Sequence, residues 1–372
     1  MNVVMSIFLV FRGLSLSQIY YLAVVFSTVV FLTELPSSYL ADRWGRKKIL
    51  IMAVLLNLIY GIICIFARDV WLFIIAFVIF ALSTALYSGT DEALIYDTSK
   101  NLGEEENSLK KLGQYFSAQR IFKIVTPIVA VLVAKNLSNE QFIWLLSIDN
   151  LALFGAVVLC LFLVEPEIHY RVESIKLGVF KDAWELMKSR PEMMRIVISK
   201  TLIFIGSFLI WRLYSEYFRQ LEMPIILIGV MTAIYQLIVF LLNLMVHKIL
   251  INKEIESRLN LLNVVFTVSV SLFLVNQVFW KNVWVAMLFF ILLIVSESVR
   301  GPLYSQITNK LTQSYNRATT LSLVNLLNSA LLVPLVLLGS FLVAKGFSFL
   351  FGLSMVLALV SIIFFRLRKS EN

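Results

Sequence analysis

Charge is scarce in this 372-residue chain: Asp, Glu, Lys and Arg make up 15% of it, against 60% hydrophobic side chains. Soluble domains average about 25% charged and about 45–50% apolar, so a water-soluble fold of this size lacks the polar surface it needs. That shortage excludes a soluble enzyme, a secreted scaffold and a nucleic-acid-binding domain. Cysteine is nearly absent as well. Cys64 and Cys160 both fall in apolar stretches, where a free thiol acts as a small hydrophobe, so no disulfide and no thiolate metal site is expected. His169 and His247 fall at the ends of apolar stretches, which offers neither a metal site nor a histidine proton relay. No phosphate-binding loop of the Walker kind, no His-Glu-x-x-His pair and no nucleophile elbow occurs. Neither enzymatic chemistry nor a bound cofactor is expected. Met1–Phe11 has no charged leading residues and no small-residue cleavage site, so no cleavable signal peptide is read there.

What the chain does have is long uncharged runs. Val70–Thr90, Met223–Val246, Leu259–Trp280, Ala318–Ala344 and Gly346–Phe365 contain no Asp, Glu, Lys or Arg, and each is near or above the roughly 20 apolar residues that cross a bilayer as a helix. Apolar windows between polar punctuation predict eleven spans: Leu16–Tyr39, Ile49–Ala67, Val70–Thr98, Gln114–Ala134, Phe142–Val164, Met193–Phe218, Pro224–Ile249, Leu259–Asn276, Val283–Gln306, Ala318–Val343 and Phe347–Phe365. Met1–Phe11 is apolar but only half a membrane long, and is read as the end of a truncated first helix that would bring the spans to twelve. The fold class is therefore an all-α polytopic membrane protein. Residues 1–164 and 193–372 form two six-helix bundles, joined by a linker over 165–192. Within that linker Leu177, Phe180, Trp184 and Met187 recur at helical spacing among charges, which predicts an amphipathic helix on the membrane surface. The lipid bilayer is the expected partner, nucleic acid is not, and the chain is expected to act as a monomer.

Lys and Arg crowd into one alternate set of loops: Arg43, Arg46, Lys47, Lys48, Lys100, Lys110 and Lys111, and later Lys248, Lys253, Arg258, Arg366 and Arg368. Cytoplasmic loops carry such an excess, so this side and the C-terminus are assigned to the cytoplasm. The net charge of +9 then reports topology.

The loop after the second of the twelve spans reads Ser38-Tyr39-Leu40-Ala41-Asp42-Arg43-Trp44-Gly45-Arg46-Lys47-Lys48. Gly45 allows a tight reversal between helices. Asp42 is an acid among bases, able to pair with them or to accept N–H bonds at a helix N-terminus. This segment resembles the loop motif of the major facilitator superfamily, G-x-x-x-D-R-x-G-R-K/R, with Ser38 in place of the first Gly. Glu34-Leu35-Pro36, the run Ser88–Asp97, Arg300-Gly301-Pro302-Leu303-Tyr304-Ser305 and Arg317-Ala318-Thr319 resemble a bacterial, drug-efflux-like subgroup of it. The resemblance spreads over both halves. It implies bundles that rock about a central cavity, a gating loop built on Asp42, Arg43, Gly45, Arg46 and Lys47, and a secondary transporter of a small molecule in the cell membrane. Proton-coupled efflux of a small amphipathic compound is the first expectation, and import of a nutrient or metabolite is the alternative. A membrane receptor or enzyme is the different-class rival; it lacks a soluble domain and a catalytic constellation. Lys123-Ile124-Val125-Thr126-Pro127 keeps a proline but not the glycines that efflux antiporters often carry in the fifth helix.

Charges inside spans are costly and usually paired or functional. The candidates are Glu34; Asp91 and Glu92 in span four; Arg120 and Lys123 in span five; Lys200, Arg212 and Glu216 in span seven; and Glu297 and Arg300 in span ten. Asp91, Glu92, Arg120 and Lys123 lie at similar depth and are expected to neutralise one another. Asp97 lies at a helix end and is assigned to structure or to the gating cluster. Glu34, with no base in its own helix, is the leading candidate for a carboxyl that binds and releases a proton. Asp42 is expected to cap span eleven near Arg317–Thr319. A weak internal echo sets Ser88 and Tyr96 against Ser296 and Tyr304, and so Glu92 against Arg300. A Glu92–Arg300 pair that forms in one transport state and breaks in the other would bias alternating access. Glu92→Arg and Arg300→Glu should then each impair transport, and the double swap should restore part of it; no rescue in a folded double variant would favour pairing within each bundle.

Overall fold

The structure, a computed structural model, describes residues 2–104, 107–166, 191–250, 255–311 and 317–367. It is all-α, with no strand among the described residues. In chain order the helices are α1 (Met5–Phe11), α2 (Leu16–Trp44), α3 (Arg46–Phe66), α4 (Val70–Tyr87), α5 (Thr90–Asn101), α6 (Ser108–Val133) and α7 (Asn139–Leu161), followed by α8 (Pro191–Gln220), α9 (Ile225–Leu250), α10 (Ile255–Val275), α11 (Val283–Leu311), α12 (Arg317–Val343) and α13 (Phe347–Phe364). Among the described residues, ten segments are long and apolar enough to cross a membrane, and Leu327–Val343 of α12 is a shorter apolar helix. The expected surface helix around Leu177–Met187 lies outside the described residues.

The helices start where side chains can cover their first N–H groups. Ser15 and Gln18 form a reciprocal capping box at α2, and Ser138 and Gln141 form another at α7. Asp69 accepts from Trp71 and Leu72 N–H at α4, and Asn282 accepts from Trp284 and Val285 N–H at α11. Each of these four starts belongs to a loop poor in Lys and Arg. The α2–α3 connection is a single residue, Gly45, at φ +93°. A proline sits inside α2, yet the helix continues: the Ser37 hydroxyl, next to Pro36, donates to Glu34 O and to Ala85 O, each at 2.8 Å, tying α2 to α4.

The chain divides into two compact units, Met1–Lys176 and Leu177–Asn372. In the first, α4 packs on α2 and α3, and α3 packs on α7. The half-length α1 is held by Phe8, fully buried between the rings of Phe73 and Phe142 at 6.1 and 5.4 Å. Arg12 follows it, donating to Ile65 O at 3.1 Å. In the second unit α8 packs on α11, α12 and α13, and α10 on α11 and α13. Its core is aromatic: Tyr217, Phe273 and Phe351 meet with centroids 4.6 to 5.1 Å apart. The outer faces carry bare apolar side chains such as Leu151, Phe162 and Phe364. Those faces suit lipid rather than water.

One expected span differs. Val70–Thr98 reads as a continuous helix, but the structure breaks it at Ser88–Gly89, where Gly89 adopts φ +73° and α5 begins anew. Asp91 and Glu92, two acids in the first turn of α5, favour a helix start there over a helix interior.

Helices α3 and α7 approach closely at Gly61. A Cβ there would collide with the Asn150 amide, whose nitrogen and oxygen are buried with no hydrogen-bond partner among the described residues. Gly61→Ala should destabilise the detergent-solubilised protein by about 1–3 kcal/mol through overpacking. Gly61→Ala with Asn150→Ala should recover most of it in a thermal melt followed by size-exclusion chromatography, and an unaltered melt for the single variant would contradict the crossing.

Candidate functional site

The loop at Gly45, the candidate gate, is built by three elements of the first unit. Because α3 starts one residue after α2 ends, its leading N–H groups need acceptors that the loop itself does not supply. Glu165, four residues past the end of α7, supplies them. Its two carboxylate oxygens accept Arg46 N–H at 2.7 Å and Lys47 N–H at 2.6 Å, a charge placed where the helix dipole favours an anion. Gly45 makes room, since a Cβ on it would lie 3.0 Å from the Glu165 carboxyl. From the same turn the Arg46 guanidinium reaches Asp97 on α5 at 2.6 Å, with Asp97 only 2% exposed. Arg46 thus joins α3 to α5 while its own backbone is held by Glu165. Arg43 is exposed and Lys47 half-buried. The side chains of Asp42 and of Arg317–Thr319, assigned above to a helix cap, lie outside the described residues.

The acids at the break between α4 and α5 do not meet the bases assigned to them. Among the described residues, no ion pair joins Asp91 or Glu92 to Arg120 or Lys123. Instead, hydroxyls surround Asp91. Tyr115 of α6 donates to Asp91 Oδ2 at 2.5 Å, Tyr115 also hydrogen-bonds Tyr87, the last residue of α4, and Asp91 Oδ1 accepts Glu92 N–H at 2.9 Å. The reason is register: Tyr115 sits one to two turns before Arg120 and Lys123 on α6, opposite the turn that Gly89 creates. Outside the spans, Lys111 Nζ lies 2.7 Å from Glu104 and, by that hydrogen bond first and its charge second, holds the carboxyl below its ordinary range. The pair is exposed and contributes little to stability.

The second unit holds a polar constellation of its own. Ser199 Oγ on α8 lies 2.9 Å from Ser361 Oγ on α13 and 3.2 Å from the Tyr304 hydroxyl on α11, and it accepts Asn263 Nδ2 of α10 at 3.3 Å. Arg300, 2% exposed, donates to the Tyr304 hydroxyl at 3.1 Å with its guanidinium 5.0 Å from that ring. No carboxylate of its own unit lies within 4 Å of Arg300 among the described residues; Glu297, one turn away and the partner that pairing within the bundle would require, does not pair with it. Lys200, next to Ser199 on α8, is half-buried. Glu216 is elsewhere: it closes α8 by accepting both Arg219 nitrogens at 2.7 Å and Gln220 at 3.0 Å. Arg212 is half-buried one turn before it, and Glu34 is half-buried on α2, two residues before Pro36.

Several members of these clusters carry no charge and so escape a search for charges in spans: Tyr87, Tyr115, Ser199, Asn263 and Ser361. Glu165 is charged but falls in the linker; its signal is an acid placed directly after an apolar span and before a proline.

Apolar outer faces and polar groups gathered between helices define a membrane-embedded helical protein. The chain matches the Major Facilitator Superfamily over residues 1–333 and belongs to that family, whose members are transporters rather than enzymes. No curated protein matches it in sequence. Solved structures match its fold. A point mutant of the nucleoside transporter NupG shares 14% identity with a TM-score of 0.79, covering 98% of this chain and 94% of that one. The inward-open xylose transporter XylE from E. coli shares 11% at a TM-score of 0.74, covering 100% and 91%. A D-xylose-proton symporter shares 16% at 0.73, covering 98% and 92%.

The Arg46–Asp97 pair is the strongest tie at the loop. Removing one partner of a buried pair leaves an uncompensated charge and costs about 3–5 kcal/mol. Arg46→Ala should therefore lower the melting temperature sharply, and Arg46→Ala with Asp97→Ala should lower it far less. Equal losses in the single and double variants would mean the pair is not coupled.

Proposed function

We propose that this family member is a proton-coupled secondary carrier of a small polar solute, with Asp91 as the carboxyl that binds and releases the proton. The carrying observation is the Tyr87–Tyr115–Asp91 chain at the break in the fourth span. Asp91 is a half-buried carboxyl at the break of a span, with no basic partner within 4 Å among the described residues, and acids so placed in membrane helices are most often functional. Asp91, the Tyr115 hydroxyl that donates to it and the Tyr87 hydroxyl bonded to Tyr115 present hydrogen-bonding groups suited to a hydroxyl- or amine-bearing solute more than to an oily one. The Ser199, Asn263 and Tyr304 groups of the second unit are of the same kind. Glu34, favoured by charge alone, is the second carboxyl to test. A protein so placed is a multi-pass protein of a bacterial cell membrane, acting as a monomer with its C-terminus in the cytoplasm, as the Lys and Arg bias of the loops supports. The likeness to nucleoside and xylose transporters is one of fold, and import is compatible with it.

A second reading, proton-driven efflux of a small amphipathic compound, is favoured by the resemblance of Ser88–Asp97 and Arg300–Ser305 to the efflux-like subgroup. One assay separates the two. Proteoliposomes loaded with a pH-sensitive dye are offered nucleosides, pentoses and amphipathic cations on either side. A polar solute should move together with protons. Asp91→Asn should abolish uphill accumulation and keep downhill exchange, and Tyr115→Phe should raise KM about tenfold, which is about 1.4 kcal/mol of binding. Accumulation by Asp91→Asn at the wild-type level would sink the assignment, and movement of the cations alone would establish the second reading.

A further inference from the structure

The ends of α10 and α13 enclose a groove of about 450 Å³ in the second unit. Its two walls change character in step. On α10 the groove starts with Glu256 and Ser257 and passes to Leu261 and Val264; on the other wall Arg366 precedes Ile362 in the same direction, because α13 runs the opposite way. The stripe continues with Val268, exposed like Leu261 and Val264, so an apolar track runs about 16 Å from Ser257 at 1.5 Å per residue. The mouth is rigid where the chain leaves α13: Asn260 donates to Leu367 O at 2.8 Å and accepts Leu367 N–H at 3.0 Å. Glu256 and Arg366 both line the groove, and among the described residues neither has an ion-pair or hydrogen-bond partner. Two opposite charges on facing walls that do not pair with each other leave room for a group carrying both signs.

We infer that this groove is a binding site for a phospholipid with a primary ammonium headgroup, a phosphatidylethanolamine. The order of groups along the groove matches that molecule. The acid at the mouth takes the outermost group, the ammonium, which can donate three hydrogen bonds where a trimethylammonium donates none. Arg366 and the Ser257 hydroxyl take the phosphate next below it. Leu261, Val264 and Ile362 take the start of an acyl chain, burying apolar surface on both. An anionic headgroup lacking the ammonium leaves Glu256 facing a phosphate, so phosphatidylglycerol fits worse. Snorkelling to the interface explains Arg366 alone, and the dipole of α10 suits Glu256 alone in its first turn; a headgroup carrying both signs accounts for the two charges facing one groove.

Native mass spectrometry of the full chain, with phosphatidylethanolamine, phosphatidylcholine and phosphatidylglycerol of identical acyl chains titrated in separately, tests the site. The ethanolamine lipid should bind several-fold more tightly than the other two. Glu256→Gln should erase that preference while total lipid binding persists, and Arg366→Gln should weaken all three. Both positions are at the groove mouth outside the helix-packing core, and gel-filtration profiles of the variants check that they fold. Wild-type protein without a preference for ethanolamine, a preference for phosphatidylglycerol, or a preference that survives Glu256→Gln would each overturn the inference. None of these outcomes bears on whether the protein carries a solute.

Discussion

Hydrocarbon offers a backbone no water, so each N–H and C=O in a span must find a partner in the protein. Several irregularities of this fold are placed where such a partner stands ready. Beside Pro36 in α2, the Ser37 hydroxyl reaches across to the Ala85 carbonyl of α4. At the break after α4, Thr90 returns its hydroxyl to Leu86 O at 2.8 Å. Beyond α10 a π-turn over Asn276–Trp280 carries the chain into α11, and the Asn276 amide closes it on both backbone groups of Asn282. The one-residue α2–α3 link works only because Glu165 arrives from the far end of α7. Irregular backbone is allowed where a side chain is on hand to satisfy it.

This rule explains why the architecture was legible in the sequence and much of the site was not. Helices in lipid need long apolar runs, and such runs are visible one residue at a time; Ile49–Ala67 anticipates α3, and Phe347–Phe365 anticipates α13, within three residues at each end. Breaks are set by partners distant in sequence. Gly89 looks like any other helix glycine until Tyr115 and the acids of α5 are seen around it. Charges in spans suggested ion pairs, and at Asp91 the answer was phenols. The echo between Ser88–Tyr96 and Ser296–Tyr304 is an echo of letters: α11 runs unbroken through Ser296, Tyr304 is buried in a hydroxyl network, and Tyr96 is exposed. Glu165 could have been suspected from its position; its target, backbone N–H groups more than a hundred residues upstream, could not.

The two units solve the problem of interior polarity differently. At its loop the first unit relies on the short Arg46–Asp97 ion pair and the Glu165 cap, both of which hold their full strength only while helices α3, α5 and the tail of α7 stay together. The second, besides the Glu216–Arg219 pair at the end of α8, places neutral donors and acceptors around Ser199, each worth about 1 kcal/mol net, and sets an aromatic face against Arg300. Strong, few and geometrically exacting contacts yield two distinct arrangements when broken or made; a mesh of weak ones yields gradually. The loop of the first unit therefore depends on few, exacting contacts, and the network of the second on many weak ones.

The division of the fourth span also bears on how the protein is made. Its first part, α4, is uncharged and has every reason to leave the aqueous phase as soon as it is synthesised. Its second part, α5, carries Asp91, Glu92, Asp97 and Lys100 and gains nothing from entering lipid by itself. Arg46 is already in place when α5 emerges and can receive Asp97. Tyr115, which receives Asp91, is added only later, with α6. Seating of α5 is thus coupled to the arrival of the next helix, so that this span is completed in two acts separated by the time needed to add some fifteen to twenty-five further residues, about one to a few seconds at ordinary rates of synthesis.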